Sequence, residues 1–400
     1  MPARPKLCIV TTSPIVVRFF LLPHLRQLAA KFDVTLAANA DCTDVLGDLS
    51  RSVRMAVVPV EREIAPWRDQ VALFRLIQLF QRERFDGVLT IAPKAGLLGN
   101  IAAFVTRVPY RCHVFQGEVW ASRTGFIRTL LRFADTVISR TTTEVLVVSG
   151  TERDFLIKEG ILSGPRSTVL GRGSICGVDT ARFAPNPQAR ARIRAEHNIP
   201  ADATLVLYLG RLHRDKGVLD LVTVWTRLAG LNPNLHLAIV GPDEDDLVPK
   251  VANLAGSAFA SRLHIAGLTS EAQDWMAAAD ILSLPSYREG FGNVVIEAGA
   301  TQVPVIASRI YGIADAMIEN VTGLMHAPGD QQALAKGLDQ LLKDPALRAI
   351  LGAAGRAMVT ENFEQSRVVQ RYTDHFVMQC RAREAVASGA GEAQSKGRPL

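Results

Sequence analysis

Short apolar runs alternate with helical segments along nearly the whole chain, and this alternation limits the fold more than any other feature. In the first half the runs lie at 7–12, 34–38, 53–60, 87–92, 110–116 and 144–148. In the second half they lie at 204–209, 235–240, 263–266, 281–285 and 303–307. Such runs read as strands, and the helical stretches between them supply the crossovers that parallel strands need. The clearest helix is expected over 125–142, where Ile127, Leu130, Leu131, Ala134, Val137 and Ile138 recur mainly at spacings of three and four. Four hundred residues exceed one ordinary core. The pattern predicts two doubly wound α/β domains, with ligands at the carboxyl ends of both sets of strands. The turn-rich stretch 177–187 sets the boundary, residues 330–380 read as helical, and the Ala/Gly/Ser-rich tail 385–400 is expected to be disordered.

The chemistry concentrates at 286–297, which follows a strand-like run and opens an apolar helix. A strand, a loop and a helix N-terminus in that order form a phosphate cradle, because unpaired backbone N–H groups and the helix dipole point at the loop. Glu289 and Glu297 flank the cradle. Carboxylates touching a phosphate would repel it, so they are expected to accept hydrogen bonds from hydroxyls on either side. Hydroxyls flanking phosphates describe a nucleotide sugar. Gly290 and Gly292 permit close backbone approach. A second strand-to-helix loop, 210–217, carries Arg211 and Lys216, a planar fork and a point charge suited to a diphosphate. The Gly-Lys-Ser/Thr order of a Walker loop is missing there. The acids at 243–246 suit the start of the following helix better than a metal.

The first half offers less. Thr11, Thr12 and Ser13 follow the first strand with hydroxyls but without a Gly-x-Gly-x-x-Gly order, which disfavours a nicotinamide dinucleotide. Residues 18–23, apolar apart from Arg18, read as a buried helix start, with a membrane-contacting patch as the alternative. In 111–118, strand alternation puts His113 and Phe115 on one face and Val114 and Gln116 on the other, with Gln116 placed to reach a ligand. Residues 1–180 hold 23 Lys+Arg against 16 Asp+Glu, and residues 181–400 hold 22 against 23. The basic excess of the first half suggests an anionic membrane surface or lipid phosphate, while no Lys-rich run or Arg/aromatic alternation points to nucleic acid. Five scattered cysteines, no signal-peptide core and no 18-residue apolar run predict a cytoplasmic protein, peripheral on the inner membrane face.

Together these residues resemble the retaining GT-B glycosyltransferases of family 4. The marks are Gly210-Arg211 with Lys216-Gly217, Glu289 and Glu297 around a Gly-Phe-Gly-Asn centre, and the segment 173–179. Residues 169–174 ahead of 177–179, together with 18–23, resemble the branch that builds bacterial capsule, O-antigen and exopolysaccharide repeats. The resemblance covers about 6–380. It implies two facing Rossmann-like domains with an interdomain cleft: 1–180 for the acceptor, 181–362 for the donor, and a helix at 363–384 crossing back to the first. Arg211 and Lys216, with Gly210, would hold the donor diphosphate. Glu289 would bind the sugar hydroxyls, helped by backbone amides of Gly290, Phe291, Gly292 and Asn293. Glu297 would bind the ribose, and the base would lie near 264–268, against Leu268. Arg211, Lys216, Glu289 and Gln116 form the implied catalytic set, and Thr12, Ser13, Arg18 and His113 the acceptor set. No metal or other cofactor is implied. Gln116 stands where relatives often carry His or Arg, and it can bond a hydroxyl but bears no charge. Cys176 replaces a common Asn. The implied reaction moves an N-acetylhexosamine or related sugar, with retention, from a UDP-sugar to a lipid-linked saccharide in cell-surface polysaccharide synthesis. A nucleotide-sugar epimerase and a non-catalytic nucleotide-sugar-binding partner subunit are the alternatives.

Overall fold

The run Leu235–Val240 is buried at every residue, as expected of a strand covered on both faces by helices. A computed structural model describes residues 4–395 apart from 62 and 64, with side chains described to residue 383. Within these residues the chain forms two units. One holds the residues up to Val148, Arg153–Gly171 and those from Ser366 on; the other holds Ser149–Glu152 and Arg172–Gln365.

The first unit carries seven strands: β1 (Lys6–Val10), β2 (Asp33–Ala38), β3 (Val53–Val57), β4 (Gly87–Ile91), β5 (Tyr110–Phe115), β6 (Glu144–Val147) and β7 (Ser167–Thr168). They are parallel, in the order β3-β2-β1-β4-β5-β6-β7. The second unit carries β8 (Thr204–Leu209), β9 (Leu235–Val240), β10 (Leu263–Ala266), β11 (Ile281–Leu284), β12 (Val305–Ser308) and β13 (Gly323–His326), also parallel, in the order β10-β9-β8-β11-β12-β13. The order reverses between β8 and β11, and such a switch point is where an open parallel sheet binds its ligand. All eleven expected strands are present. The edge strands β7 and β13 carry too little apolar pattern to be read in advance.

The units do not divide at 180. Val178 N–H donates to Phe363 O at 2.8 Å and Gln365 N–H to Val178 O at 2.9 Å, so the turn-rich stretch belongs to the second unit. The C-terminal helix Gln365–Ser395 also outruns its expected end. The backbone of 385–395 is helical where disorder is predicted, since alanines at 385, 387, 390 and 393 favour helix. Residues 396–400 lie outside those described.

That helix is part of the first core. Glu144 Oε2 accepts from Tyr110 Oη at 2.8 Å and lies 2.9 Å from His375 Nε2. Phe376 is fully buried beside Tyr110 and Tyr372. Truncating so large a buried ring leaves a cavity, so Phe376→Ala is expected to cost about 3–5 kcal/mol, read as a lowered midpoint in thermal or urea unfolding.

Candidate functional site

β8 and β11 are hydrogen-bonded neighbours, so the loops that leave their carboxyl ends emerge side by side. After β8 come Gly210, Arg211 and a short turn, Arg214–Lys216, in which His213 Nδ1 accepts from Asp215 N–H at 3.2 Å. Gly217, at φ 67°, then starts the helix Val218–Leu231. A Cβ at Gly217 would lie 2.1 Å from Pro285 O, so only glycine allows the first loop to press against the second.

Pressed together, the loops interlock. Tyr287 N–H donates to Asp215 O at 2.8 Å, Arg288 Nε to Asp215 Oδ2 at 3.3 Å, and Tyr287 Oη to Asp220 Oδ2 at 2.7 Å. Lys216 Nζ reaches Glu289 Oε1 at 2.6 Å, and Ser286 Oγ donates to the same oxygen at 2.9 Å. Both partners of the Lys216–Glu289 pair are mostly buried, which strengthens their attraction and penalises loss of either one. Arg211 pairs with Glu244 at 2.5 Å in a more exposed place, and its carbonyl accepts from Tyr208 Oη at 2.7 Å.

Gly292, at φ 67°, precedes the helix Asn293–Ala300. Asn293 Oδ1 accepts from Ser174 Oγ at 3.1 Å, and Ser174 Oγ accepts from Gly177 N–H at 3.0 Å. The segment around 173–177 is thereby seated at that helix N-terminus. A Cβ at Gly312 would lie 2.4 Å from Gly290 O, and Gly312 N–H donates to Thr151 Oγ1 at 2.9 Å. Glu297 lies in the second turn of the helix. Among the described residues no side chain or backbone group donates to its carboxylate. Burial raises that carboxyl to about 7, and burial together with Glu297 pushes the neighbouring Cys176 thiol up to about 12. Phe291 is buried beneath this loop, and Leu268, after β10, is 73% exposed.

Two family models match the chain. Residues 22–173 fit the glycosyl transferase 4-like domain, and residues 189–358 fit glycosyl transferases group 1. The chain belongs to the family 4 glycosyltransferases. It is 29% identical over 315 residues to a capsular polysaccharide biosynthesis glycosyltransferase, CapM, of Staphylococcus aureus, covering 77% of this chain and 80% of that protein. It is 25% identical over 367 residues to an Escherichia coli UDP-Gal:alpha-D-GlcNAc-diphosphoundecaprenol alpha-1,3-galactosyltransferase, covering 90% of this chain and 91% of that protein. Among solved structures, Anabaena Alr3699/HepE in complex with UDP and glucose has a TM-score of 0.80 at 20% identity, covering 94% of this chain and all of that one. The fold is therefore GT-B.

In this family 4 chain the donor-side residues expected from sequence, Gly210 through Glu297, all fall in the second unit, and Lys216 and Glu289 are in direct contact. Ser174, Ser286, Thr151 and Gly312 support them without having been singled out. Ser174 and Ser286 lie inside stretches already marked. Thr151 and Gly312 meet across 161 residues and leave no local signal. The acidic stretch serves the loops: Asp243 accepts from Leu247 and Val248 N–H, and Asp245 from Arg214 N–H.

On the acceptor side the expectations fare unevenly. Gln116 is half-buried just beyond β5, Thr12 is buried, Arg18 is exposed, and Ser13 Oγ accepts from Ile15 N–H at 3.1 Å as a helix cap. His113 is a packing residue. Its Nδ1 lies 2.8 Å from Thr90 Oγ1, its ring fills the space over Gly96, and burial lowers its pKa to about 3, which keeps it neutral. It faces the helix Pro93–Val105, because that face of β5 is covered. Residues 18–23 are not simply a buried start either. Val17 and Leu21, four apart, face the core, while Phe19 between them is exposed.

Glu297 makes the stability of this site depend on pH. Its folded-state pKa lies above the ordinary carboxyl value near 4.5, so the folded state binds the proton more tightly than the unfolded chain does. The contribution is fullest below about 4.5 and is lost as pH rises through about 7. Glu297→Gln is expected to remove that decline, gaining about 1–2 kcal/mol over the parent between pH 5 and 8 in urea unfolding.

Proposed function

We propose that the protein transfers a sugar, with retention, from a UDP-sugar to a lipid-linked saccharide in cell-surface polysaccharide synthesis. The contact between Lys216 and Glu289, beside the glycine-opened helix at Asn293, carries this reading: it joins a phosphate-binding cation to a hydroxyl-accepting carboxylate at a switch point. Glu297, desolvated and with no donor among the described residues, suits hydroxyls of a ribose. UDP as carrier and a lipid diphosphate as acceptor draw support from the Escherichia coli relative, whose name contains both. An N-acetylhexosamine or related sugar is proposed on resemblance.

An acceptor hydroxyl attacks the anomeric carbon from the face the diphosphate leaves. The bond from that carbon to the diphosphate oxygen breaks, the bond to the acceptor oxygen forms, and the acceptor proton passes to the departing diphosphate. Arg211, Lys216 and the backbone N–H groups at the helix start stabilise the growing negative charge, each well-placed donor contributing about 3 kcal/mol. Glu289 and the amides of Gly290 to Asn293 orient the sugar. Gln116 offers its amide to a sugar hydroxyl. No metal is assigned a role, because the loop cations supply the charge. Thr12, Ser13 and Arg18 of the basic first unit are proposed to meet the acceptor.

Lys216→Ala and Glu289→Ala are each expected to lower transfer at least about a hundredfold with the fold retained by circular dichroism. NMR of the product is expected to show the donor's anomeric configuration. An inverted product, or donor turned over without acceptor, contradicts the proposal.

A further inference from the structure

The helix Gly125–Thr141 in the first unit turns three of its four charged residues, Arg128, Arg132 and Asp135, toward the protein and an apolar side outward. Arg128 and Arg132 lie 5.2 and 5.5 Å from the Trp120 ring centroid and 3.0 and 3.3 Å from Glu159 Oε2. Asp135 accepts from Trp120 Nε1 at 2.6 Å. The apolar residues that turn inward are chiefly Leu131 and Ile138. Phe126, Ile127, Leu130 and Phe133 occupy the other side, 79, 57, 46 and 63% exposed. A helix packed on a core in water is expected to show the reverse arrangement. Four large side chains in one exposed stripe mark a surface that something covers.

The charges around the stripe select the cover. Arg123 and Arg140, at the two ends of the helix, are exposed, and the one acid between 119 and 141, Asp135, is buried. A second copy laid on this face, parallel or antiparallel, would bring arginine ends against arginine ends. An anionic lipid surface accepts both the apolar stripe and the cations. The topology agrees. The helix begins beyond the carboxyl end of β5, the sheet edge at which Ile15, Arg18 and Phe19 follow β1, and Ile15 and Phe19 are 65 and 51% exposed. Gln116, Thr12 and Ser13 lie at that same edge. Among the described residues no helix is long and apolar enough to cross a membrane, so this helix can lie along one but not span it.

We propose that this helix docks the protein on an anionic bilayer, with Phe126, Ile127, Leu130 and Phe133 sunk into the acyl boundary and Arg123 and Arg140 at the phosphates. The proposal deepens the lipid-linked-acceptor reading and rests on it for its purpose. Its test contains neither donor nor acceptor, so a failed transfer assay leaves docking standing and a failed vesicle assay leaves the donor chemistry standing.

The test is co-sedimentation of the full chain with vesicles of phosphatidylcholine, alone or with about a third phosphatidylglycerol, at about 0.1 and 0.5 M salt. The parent is expected to bind the anionic vesicles and to be largely released at the higher salt. Phe126→Ser with Phe133→Ser is expected to lose about tenfold or more in binding, with an unchanged unfolding midpoint, since both side chains are exposed. Arg123→Ser with Arg140→Ser is expected to lose only the preference for anionic lipid. Parent-like binding by the double phenylalanine variant overturns the proposal, as does equal binding of the parent to neutral and anionic vesicles. A lipid-free dimer that the phenylalanine variant dissociates also overturns it, and assigns the stripe to a second copy.

Discussion

One steric condition underlies the proposed donor site: no Cβ fits at Gly217. The carbonyl of Pro285 occupies the space a side chain would need, so the loop after β8 can lie directly on the loop after β11. Everything distinctive about the site follows from that closeness. A backbone bond from Tyr287 N–H to Asp215 O holds the loops in register, and Lys216 then meets Glu289. Two strands adjacent in the sheet but distant in sequence thus contribute opposite charges to one point. The parallel sheet puts the loops at one edge, and the missing side chain lets them touch.

The charges are balanced within the unit. Lys216 faces Glu289, Arg211 faces Glu244, and Arg288 faces Asp215. The pairs differ in solvent contact, and this difference bears on how a diphosphate is received in the proposed reaction. The Arg211 pair is partly exposed, hence weak, and can open when a phosphate competes for the guanidinium. The Lys216 pair is desolvated and holds both groups in place. One cation is therefore held more firmly than the other. Glu297 differs again: its carboxylate has no donor among the described residues and burial makes it costly to ionise, so hydroxyls of the proposed ligand would stabilise it most.

The second unit was legible because its chemistry is local. Arg211 and Lys216 sit two and seven residues beyond one strand, and Glu289 through Glu297 within one strand-loop-helix unit, so spacing alone places them. The supporting contacts were not legible, since Thr151 and Gly312 meet only through the fold. The first unit was harder for a related reason. Alternation correctly paired His113 with Phe115, whose rings lie 4.7 Å apart, but could not tell a covered face from an open one. The same limit applied to the helix Gly125–Thr141: its period predicted a helix, and its outward-facing stripe depended on Trp120 and Glu159 drawing the arginines in. The boundary shifted to 171 because hydrogen bonds to Phe363 and Asn293, invisible in local composition, hold the segment after it.

The proposed donor site is formed by two touching loops and served by side-chain cations. Thermal stabilisation by a panel of UDP-, GDP- and dTDP-sugars, in excess chelator and with Gly217→Ala in parallel, tests it most directly. UDP-sugars are predicted to raise the parent's unfolding midpoint by several degrees without any divalent ion, and to leave the Gly217→Ala midpoint unmoved. No shift with any nucleotide sugar, a shift that needs a divalent cation, or an equal shift in Gly217→Ala would contradict it.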